Sequence, residues 1–391
     1  MPRVGLSELF ALGRVITNGQ LLRYPRGAKG YTHRFETRLA EMTGASHVLT
    51  VNSGTNALIT ALAAAGIGPG DEVLVPAYTW MATAIAPLAV GAVPVLVDID
   101  ETLTMDPLDI ERRLSPYTKA IIPVHMLNLV CNMDAIMEIA RRNELIVIED
   151  AAQAVGVSYK ERRTGSIGHL GAYSFNHFKN ITSGEGGAVL TSDRGYFERA
   201  RMYHDPGSFM RGHGEASEPL FAGLNFRVSE LTGAVLWAQL AKLDPFLRRL
   251  RRRHPIVART FADLPNCRLS PHNDPENAVA LSVIFDDPEE ARVFGRTRGA
   301  ERLLDTDRHV FVNWEAVLSK RAFHPKMNPH AWANREITYL PDDYARTLEI
   351  LSRTCRVSLG AQYPLPVMQW QKRSLRNAAS RAGAVGAAVP A

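Results

Sequence analysis

The segment Leu145–Gly156, LIVIEDAAQAVG, decides the architecture of this chain. Its first four residues are apolar with no polar alternation, the pattern of a strand covered on both faces. It then ends in two adjacent carboxylates, Glu149 and Asp150, followed by small residues. Outward from it the same rhythm repeats. Thr55–Ala65 reads as a helix, DEVLVP (Asp71–Pro76) as a strand, Thr79–Val90 as a helix and VPVLVDI (Val93–Ile99) as a strand. Pro107–Leu114 reads as a helix, KAIIPVH (Lys119–His125) as a strand and Met133–Arg142 as a helix. Helices alternating with such strands predict an α/β fold, a large domain whose mostly parallel sheet lies between helices. Ligands of such sheets gather beyond the carboxyl ends of the strands. Asp98, Asp100, His125, Glu149 and Asp150 fall there.

A long helix is expected from Arg227 to about Arg253, after which the character changes. Ala278–Phe285 (AVALSVIF) reads as a strand, Asp287–Ala300 as a helix, RHVFVNW (Arg308–Trp314) as a strand and Asp342–Thr354 as a helix. These predict a smaller C-terminal α+β domain. The expected division is residues 1–254 for the large domain with its N-terminal arm, 255–378 for the small domain and 379–391 for a flexible tail, because Ser380–Ala391 is rich in small residues and breakers.

Composition removes several classes of function. The 391 residues carry 45 Lys and Arg against 40 Asp and Glu, a formal net charge of +5, with 46% hydrophobic and 22% charged residues. That is an ordinary globular balance, neither disordered nor fibrous. The basic run FLRRLRRRHP (Phe246–Pro255) continues a helical stripe of Leu236, Leu240, Leu243 and Leu247. No aromatic residues interleave its arginines, so it reads as a solvated helix face and no nucleic-acid partner is expected. Cys131, Cys267 and Cys355 form no CxxC pair, which signals neither zinc nor disulfides. His324 and His330 have no third ligand at useful spacing, so no metal is expected. The longest apolar stretch, Met81–Val97, is broken by Pro87, Gly91 and Pro94, and the N-terminus has no signal-peptide pattern. A soluble, cytoplasmic protein with no membrane partner is the expectation.

Three motifs carry chemistry. In VNSGTNAL (Val51–Leu58), Gly54 and Thr55 open a helix after a β-rich entry. Free backbone N–H groups and a hydroxyl there make a phosphate cradle, a plain N-cap being the competing reading. Asp150 arrives at the ligand edge of the sheet, where a buried carboxylate needs a cationic partner. A protonated pyridine nitrogen would be one; helix capping is the alternative. In SFNHFKNITSGEGG (Ser174–Gly187), Lys179 lies between a strand-like GAYSF and a turn containing Gly184, Gly186 and Gly187. Enclosure depresses an amine's pKa and suits a Schiff-base lysine. A phosphate cradle, a pyridinium partner and an aldehyde-capturing amine are together what pyridoxal 5′-phosphate needs. GIGPGDE (Gly66–Glu72), by contrast, follows a helix and precedes a strand, the wrong order for a dinucleotide loop.

These segments, in order, resemble the DegT/DnrJ/EryC1/StrS aminotransferases. The resemblance runs from GYTHRFETRLAEMTG (Gly30–Gly44) to GLNFRVSELTGAVLWAQLAKLD (Gly223–Asp244), through SGTNAL, GPGDEVLVPAYTWMATA, EDAAQA, GAYSF and KNITSGEGG. It implies a fold-type I pyridoxal phosphate-dependent transferase with a seven-stranded, mostly parallel sheet. It also implies that Lys179 binds the cofactor covalently, Asp150 pairs with the pyridine nitrogen, Gln153 lies near the ring hydroxyl and Trp80 stacks on its face. Gly54, Thr55 and Ser174 would hold the phosphate, and Asn225 would reach the phosphate of a neighbouring subunit's cofactor in a homodimer with shared sites. One branch of the family has histidine at the lysine position and dehydrates its substrate; Lys179 argues against that branch.

The chain departs from the family pattern in PVHMLN (Pro123–Asn128), in YHD (Tyr203–Asp205) and through most of the C-terminal third, which together with Leu21–Tyr24 loosely resembles a branch acting on an 8-keto octulosonate. His177, Arg23, Tyr24, Arg321 and Arg356 are candidate substrate contacts, with packing or salt-bridge roles as alternatives. The reading is a ping-pong aminotransferase that takes an amino group from L-glutamate or L-glutamine to a keto sugar or keto cyclitol, in secondary metabolism or surface-glycan synthesis. Two alternatives stand beside it: a pyridoxal phosphate enzyme doing elimination or carbon–carbon bond formation, and a sensor or scaffold that binds the cofactor without turnover.

Overall fold

The computed structural model of the protein describes residues 4–24, 29–209, 216–361 and 363–386. Helices α1 (Leu6–Asn18) and α2 (Tyr31–Thr43) come first and both pack on a long later helix. The alternating region follows as β1 (His47–Val51), α3 (Gly54–Ala64), β2 (Glu72–Pro76), α4 (Ala82–Val90), β3 (Val93–Val97), α5 (Pro107–Arg113), β4 (Thr118–Ile121), α6 (Met133–Arg142) and β5 (Ile146–Asp150). A short hairpin, β6 (Ser158–Tyr159) with β7 (Arg162–Arg163), leads to β8 (Leu170–Ser174), β9 (Gly187–Thr191), α7 (Arg194–His204) and the long α8 (Glu230–Ala258).

Seven strands form one sheet in the order β1-β9-β8-β5-β4-β2-β3. Only β9 runs against its neighbours, so the sheet is mostly parallel, as the unalternating strands predicted. Every residue of β2, β3, β8 and β9 is buried. Burying a Val, Leu or Ile side chain contributes about 1.5–3 kcal/mol, so a polar residue in these strands would have to recover that loss by other contacts. Along α8, Leu236, Leu240, Leu243 and Leu247 are buried, while Arg248, Arg249, Arg251 and Arg252 face solvent. Arg253 alone turns inward and donates to the carbonyls of Gly360 and Tyr363.

The C-terminal part has a four-stranded antiparallel sheet in the order β10-β11-β13-β12, from β10 (Cys267–Leu269), β11 (Ser282–Phe285), β12 (Ala300–Arg302) and β13 (Thr354–Val357). Helices α9 (Pro288–Gly295), α10 (Glu315–Leu318), α11 (Ala345–Arg353) and α12 (Leu365–Gly386) accompany it. Two expectations need correction. Arg308–Trp314 is not a strand of this sheet but two 3-10 turns, Asp307–His309 and Phe311–Asn313. Its backbone pairs instead with the loop after β2, where Thr79 N–H donates to the His309 carbonyl (2.9 Å) and Phe311 N–H to that of Ala77 (3.1 Å). The apolar residues that suggested a strand, Val310, Phe311 and Trp314, are buried beneath that contact. The tail expected to stay unpacked from 379 is helical to Gly386, with Ala379 and Ala382 fully buried in the core. Small side chains there permit close helix packing; residues 387–391 lie outside the described residues.

The adjacent carboxylates closing β5 point to opposite faces, as consecutive strand residues must. Asp150 turns to the ligand edge and Glu149 into the interior. Glu149 is fully buried and accepts from the N–H groups of Gly165 (2.8 Å), Ile167 (2.6 Å) and Gly168 (2.6 Å) and from His125 Nε2 (2.9 Å). The other ring nitrogen, Nδ1, accepts from Cys131 N–H (3.1 Å), which fixes the tautomer with the proton on Nε2. His125 is therefore a structural residue behind the site. Glu149→Ala would strand four buried donors, and a loss of roughly 3–5 kcal/mol is expected, read as a fall in the denaturant midpoint of unfolding.

Candidate active site

A cavity of about 1310 Å³ opens at the carboxyl ends of β5 and β8 and is closed on one side by the small sheet. Asp150 lies at its base, 5% exposed. Thr83 Oγ1 donates to Asp150 Oδ2 (2.8 Å) and Ala152 N–H to Oδ1 (3.1 Å). Both donors are neutral, and burial raises the carboxyl above its ordinary pKa against them and against the nearby Lys179 charge. A cation brought to this carboxylate would relieve the burial cost.

Lys179 sits on the connection from β8 to β9, which is tied down on both sides. Its N–H donates to the Asn176 carbonyl (3.0 Å), and the Asn180 amide donates to Asn128 Oδ1 (2.7 Å) and the Val155 carbonyl (3.0 Å). Gly184, at φ +86°, supplies the left-handed turn that brings the chain back to β9. The Lys179 side chain lines the cavity, and burial pulls its ammonium below the ordinary lysine range, opposed by Asp150. The sequence-based expectation of a depressed amine thus has its physical cause in enclosure.

At the far end, Ser53 Oγ caps α3 by accepting from Asn56 N–H (3.1 Å). The first N–H groups of the helix have no partner in the preceding turn and are open to an anion. A Cβ on Gly54 would come within 2.6 Å of the Ser174 Cβ, so only glycine lets α3 begin this close to the end of β8. Trp80, 39% exposed, forms a wall, and Gln153 accepts from Leu127 N–H (3.3 Å). The set fits pyridoxal 5′-phosphate: a helix start with hydroxyls for the phosphate, a carboxylate for the ring nitrogen, an aromatic wall and an enclosed amine.

Of the residues singled out from sequence, the fold brings Gly54, Thr55, Trp80, Asp150, Gln153, Ser174, Lys179 and Arg356 to this cavity. It does not bring Arg23, Tyr24, Arg321, His177 or Asn225 there, nor His324 and His330. Arg23 is buried in an ion pair with Glu36 (2.6 Å), whose carboxylate also receives Thr50 N–H (2.7 Å), and the Arg23 guanidinium lies over the Tyr24 ring. Arg321 projects into solvent beside Glu315 (3.7 Å). His177 is exposed with its ring edge-to-face on Phe178, and Asn225 is exposed, accepting from Arg227 N–H (3.3 Å). His330 bonds the Tyr339 hydroxyl (2.9 Å) and His324 Nδ1 accepts from Lys326 N–H (3.2 Å).

Sequence reading missed Thr83, Asn128 and Asn180. The helix begins only at Ala82, yet the turn before it still brings the Thr79 and Thr83 hydroxyls to 2.9 Å of one another. Thr83→Val keeps the shape and removes the hydroxyl donor to Asp150. Cofactor affinity is expected to fall about tenfold, measured by tryptophan quenching in a pyridoxal phosphate titration.

The sequence profile of the DegT/DnrJ/EryC1/StrS aminotransferase family matches residues 8–313. The chain is 40% identical over 243 residues to the GDP-perosamine synthase of Caulobacter vibrioides, covering 61% of this chain and 64% of that one. It is 39% identical over 254 residues to the L-glutamine:2-deoxy-scyllo-inosose aminotransferase of Micromonospora echinospora, covering 63% and 60%. In both cases the match spans less than two thirds of the relative's length. Among solved structures, S. venezuelae DesV in complex with a ketimine intermediate superposes with a TM-score of 0.76 at 31% identity, over 96% of this chain and 94% of that one. The profile match extends over most of the chain and includes every strand and loop that builds the cavity's base, so the protein belongs to the DegT/DnrJ/EryC1/StrS aminotransferase family.

Proposed function

We propose that the protein is a pyridoxal 5′-phosphate-dependent aminotransferase that moves an amino group from L-glutamate or L-glutamine to a keto sugar or keto cyclitol. The observation that carries this reading is a half-buried lysine and a buried carboxylate lining one cavity, each pushed by burial toward its neutral form. The name of the Micromonospora relative supports glutamine as donor and a cyclitol ketone as acceptor. That of the Caulobacter relative supports the nucleotide-sugar side of the family.

When bound, pyridoxal 5′-phosphate supplies an electron sink for the electron pair left at the donor's Cα. Asp150 holds a proton at the pyridine nitrogen, which keeps the ring electron-withdrawing. Burial makes the amine of Lys179 easier to deprotonate, which suits it to take the proton from the donor's Cα. The start of α3 with Thr55 and Ser174 holds the phosphate, and Trp80 fixes the ring plane. Donor and acceptor use the one cavity in turn, a ping-pong sequence.

The proposal includes a homodimer with shared sites. In support, α1 exposes Leu6, Leu9, Phe10 and Ile16, and Asn225 is exposed outside its own chain's cavity. Apolar patches of this kind mark surfaces that a partner covers. Three buried free cysteines support a reducing, cytoplasmic setting. No helix among the described residues is long and apolar enough to cross a membrane.

The visible spectrum of the cofactor-loaded protein tests the reading. L-glutamate or L-glutamine is expected to bleach an absorption band that Lys179→Ala lacks; a band indifferent to both donors would contradict it. Asp150→Asn gives a second test. The folded-state pKa of Asp150 lies above its unfolded value, so its ionised form weakens the cofactor-free fold, increasingly as pH rises through that window. At pH 7 the cofactor-free Asp150→Asn protein is therefore expected to melt no lower than the wild type, while its cofactor affinity falls at least tenfold.

A further inference from the structure

Glu301 on β12 stands directly across from Arg356 on β13, and Arg356 stands across from Ser282 on β11. Residues directly across an antiparallel pair share a face. This row of three lines the cavity. The Arg356 guanidinium is paired with the Glu301 carboxylate, and the two side chains are 50% and 41% exposed. A pair this open to water is held weakly, by a factor of roughly two to five in an equilibrium.

The other acidic groups of the cavity are engaged differently: Asp150 at the base and Glu185 with the Asn176 amide (2.9 Å). Arg308 lies at the rim, 5.8 Å from the Trp80 ring centroid, with Asp307 3.6 Å from its guanidinium. Of these two cavity arginines, Arg356 is the one whose paired carboxylate, Glu301, also lines the cavity, so an incoming carboxylate can replace it there one for one. A ping-pong aminotransferase must seat a charged amino acid and the uncharged ring of a keto sugar or cyclitol at one reacting centre, and a fixed bare cation would favour the first at the expense of the second.

We propose that Glu301 and Arg356 form an exchangeable ion pair: a carboxylate of the amino acid donor displaces Glu301 from Arg356, and Glu301 returns when the uncharged keto ring of the acceptor takes the donor's place. The proposal rests on the aminotransferase reading of this site. It assigns Arg356 to the donor and Glu301, which no motif singled out, to specificity.

The test is calorimetric titration of glutarate, a dicarboxylate without an amine, into the cofactor-loaded protein at fixed ionic strength. Glu301→Gln is expected to bind glutarate about two- to fivefold tighter than the wild type, because the competitor is gone. Arg356→Ala is expected to bind it at least tenfold more weakly, through loss of a charge-assisted pair. Arg321→Ala, altered far from the cavity, should match the wild type. The proposal is overturned by any of three results: no measurable binding to the wild type, Arg356→Ala binding like the wild type, or Glu301→Gln binding no tighter. Loss of binding in Arg308→Ala alone would likewise overturn it. If L-glutamate leaves the wild-type spectrum unchanged, the aminotransferase reading itself fails. If glutamate bleaches the band and Arg356→Ala still binds glutarate normally, only the exchangeable pair fails.

Discussion

A carboxylate buried at the end of the central strand is the constraint around which the site is arranged. Asp150 has two neutral donors and a raised pKa, an arrangement that is costly unless a cation comes to it. A strand of the same sheet delivers Lys179 to the same cavity, and burial depresses the amine by the physics that raises the carboxyl. Burial thus makes each group's charge costly where a ring cation would compensate the carboxylate and an aldehyde would take up the amine. Behind them Glu149, satisfied by four donors, locks the turn between β7 and β8 to the end of β5. The strand thus makes a rigid interior joint with one carboxylate and a reactive surface with the next.

Much of this was legible in the chain because it depends on local pattern. Strands without polar alternation gave the parallel sheet, and the depressed lysine was expected from its place between the strand-like GAYSF and a glycine turn. Arg308–Trp314 was misread because its apolar spacing suits a strand, whereas its backbone partner is the Ala77–Thr79 loop, more than 200 residues away. The tail was misread because small residues suit both loose chain and tight helix packing. Ala379 and Ala382 are buried only because the core supplies a surface for them.

The candidate substrate residues show the same limit. Arg23 and Arg356 look alike in sequence, each a basic residue in an unfamiliar stretch. Arg23 ends in a buried pair with Glu36, and Arg356 ends on the cavity wall across from Glu301. What separates them is cross-strand register and helix packing, neither of which is written locally. The large sheet therefore fixes the cofactor chemistry, and the small sheet supplies the wall whose charges meet the substrates. Family likeness is concentrated in the first and thins over the second, since the profile match ends at residue 313, before β13 begins.

The central claim is that Lys179 is the residue to which the cofactor attaches. Borohydride reduction of the pyridoxal phosphate-loaded protein, followed by proteolysis and peptide mass spectrometry, tests it most directly. The account predicts one stoichiometric reduced pyridoxyl phosphate adduct, on the peptide containing Lys179. An adduct on another lysine, or none, would contradict it.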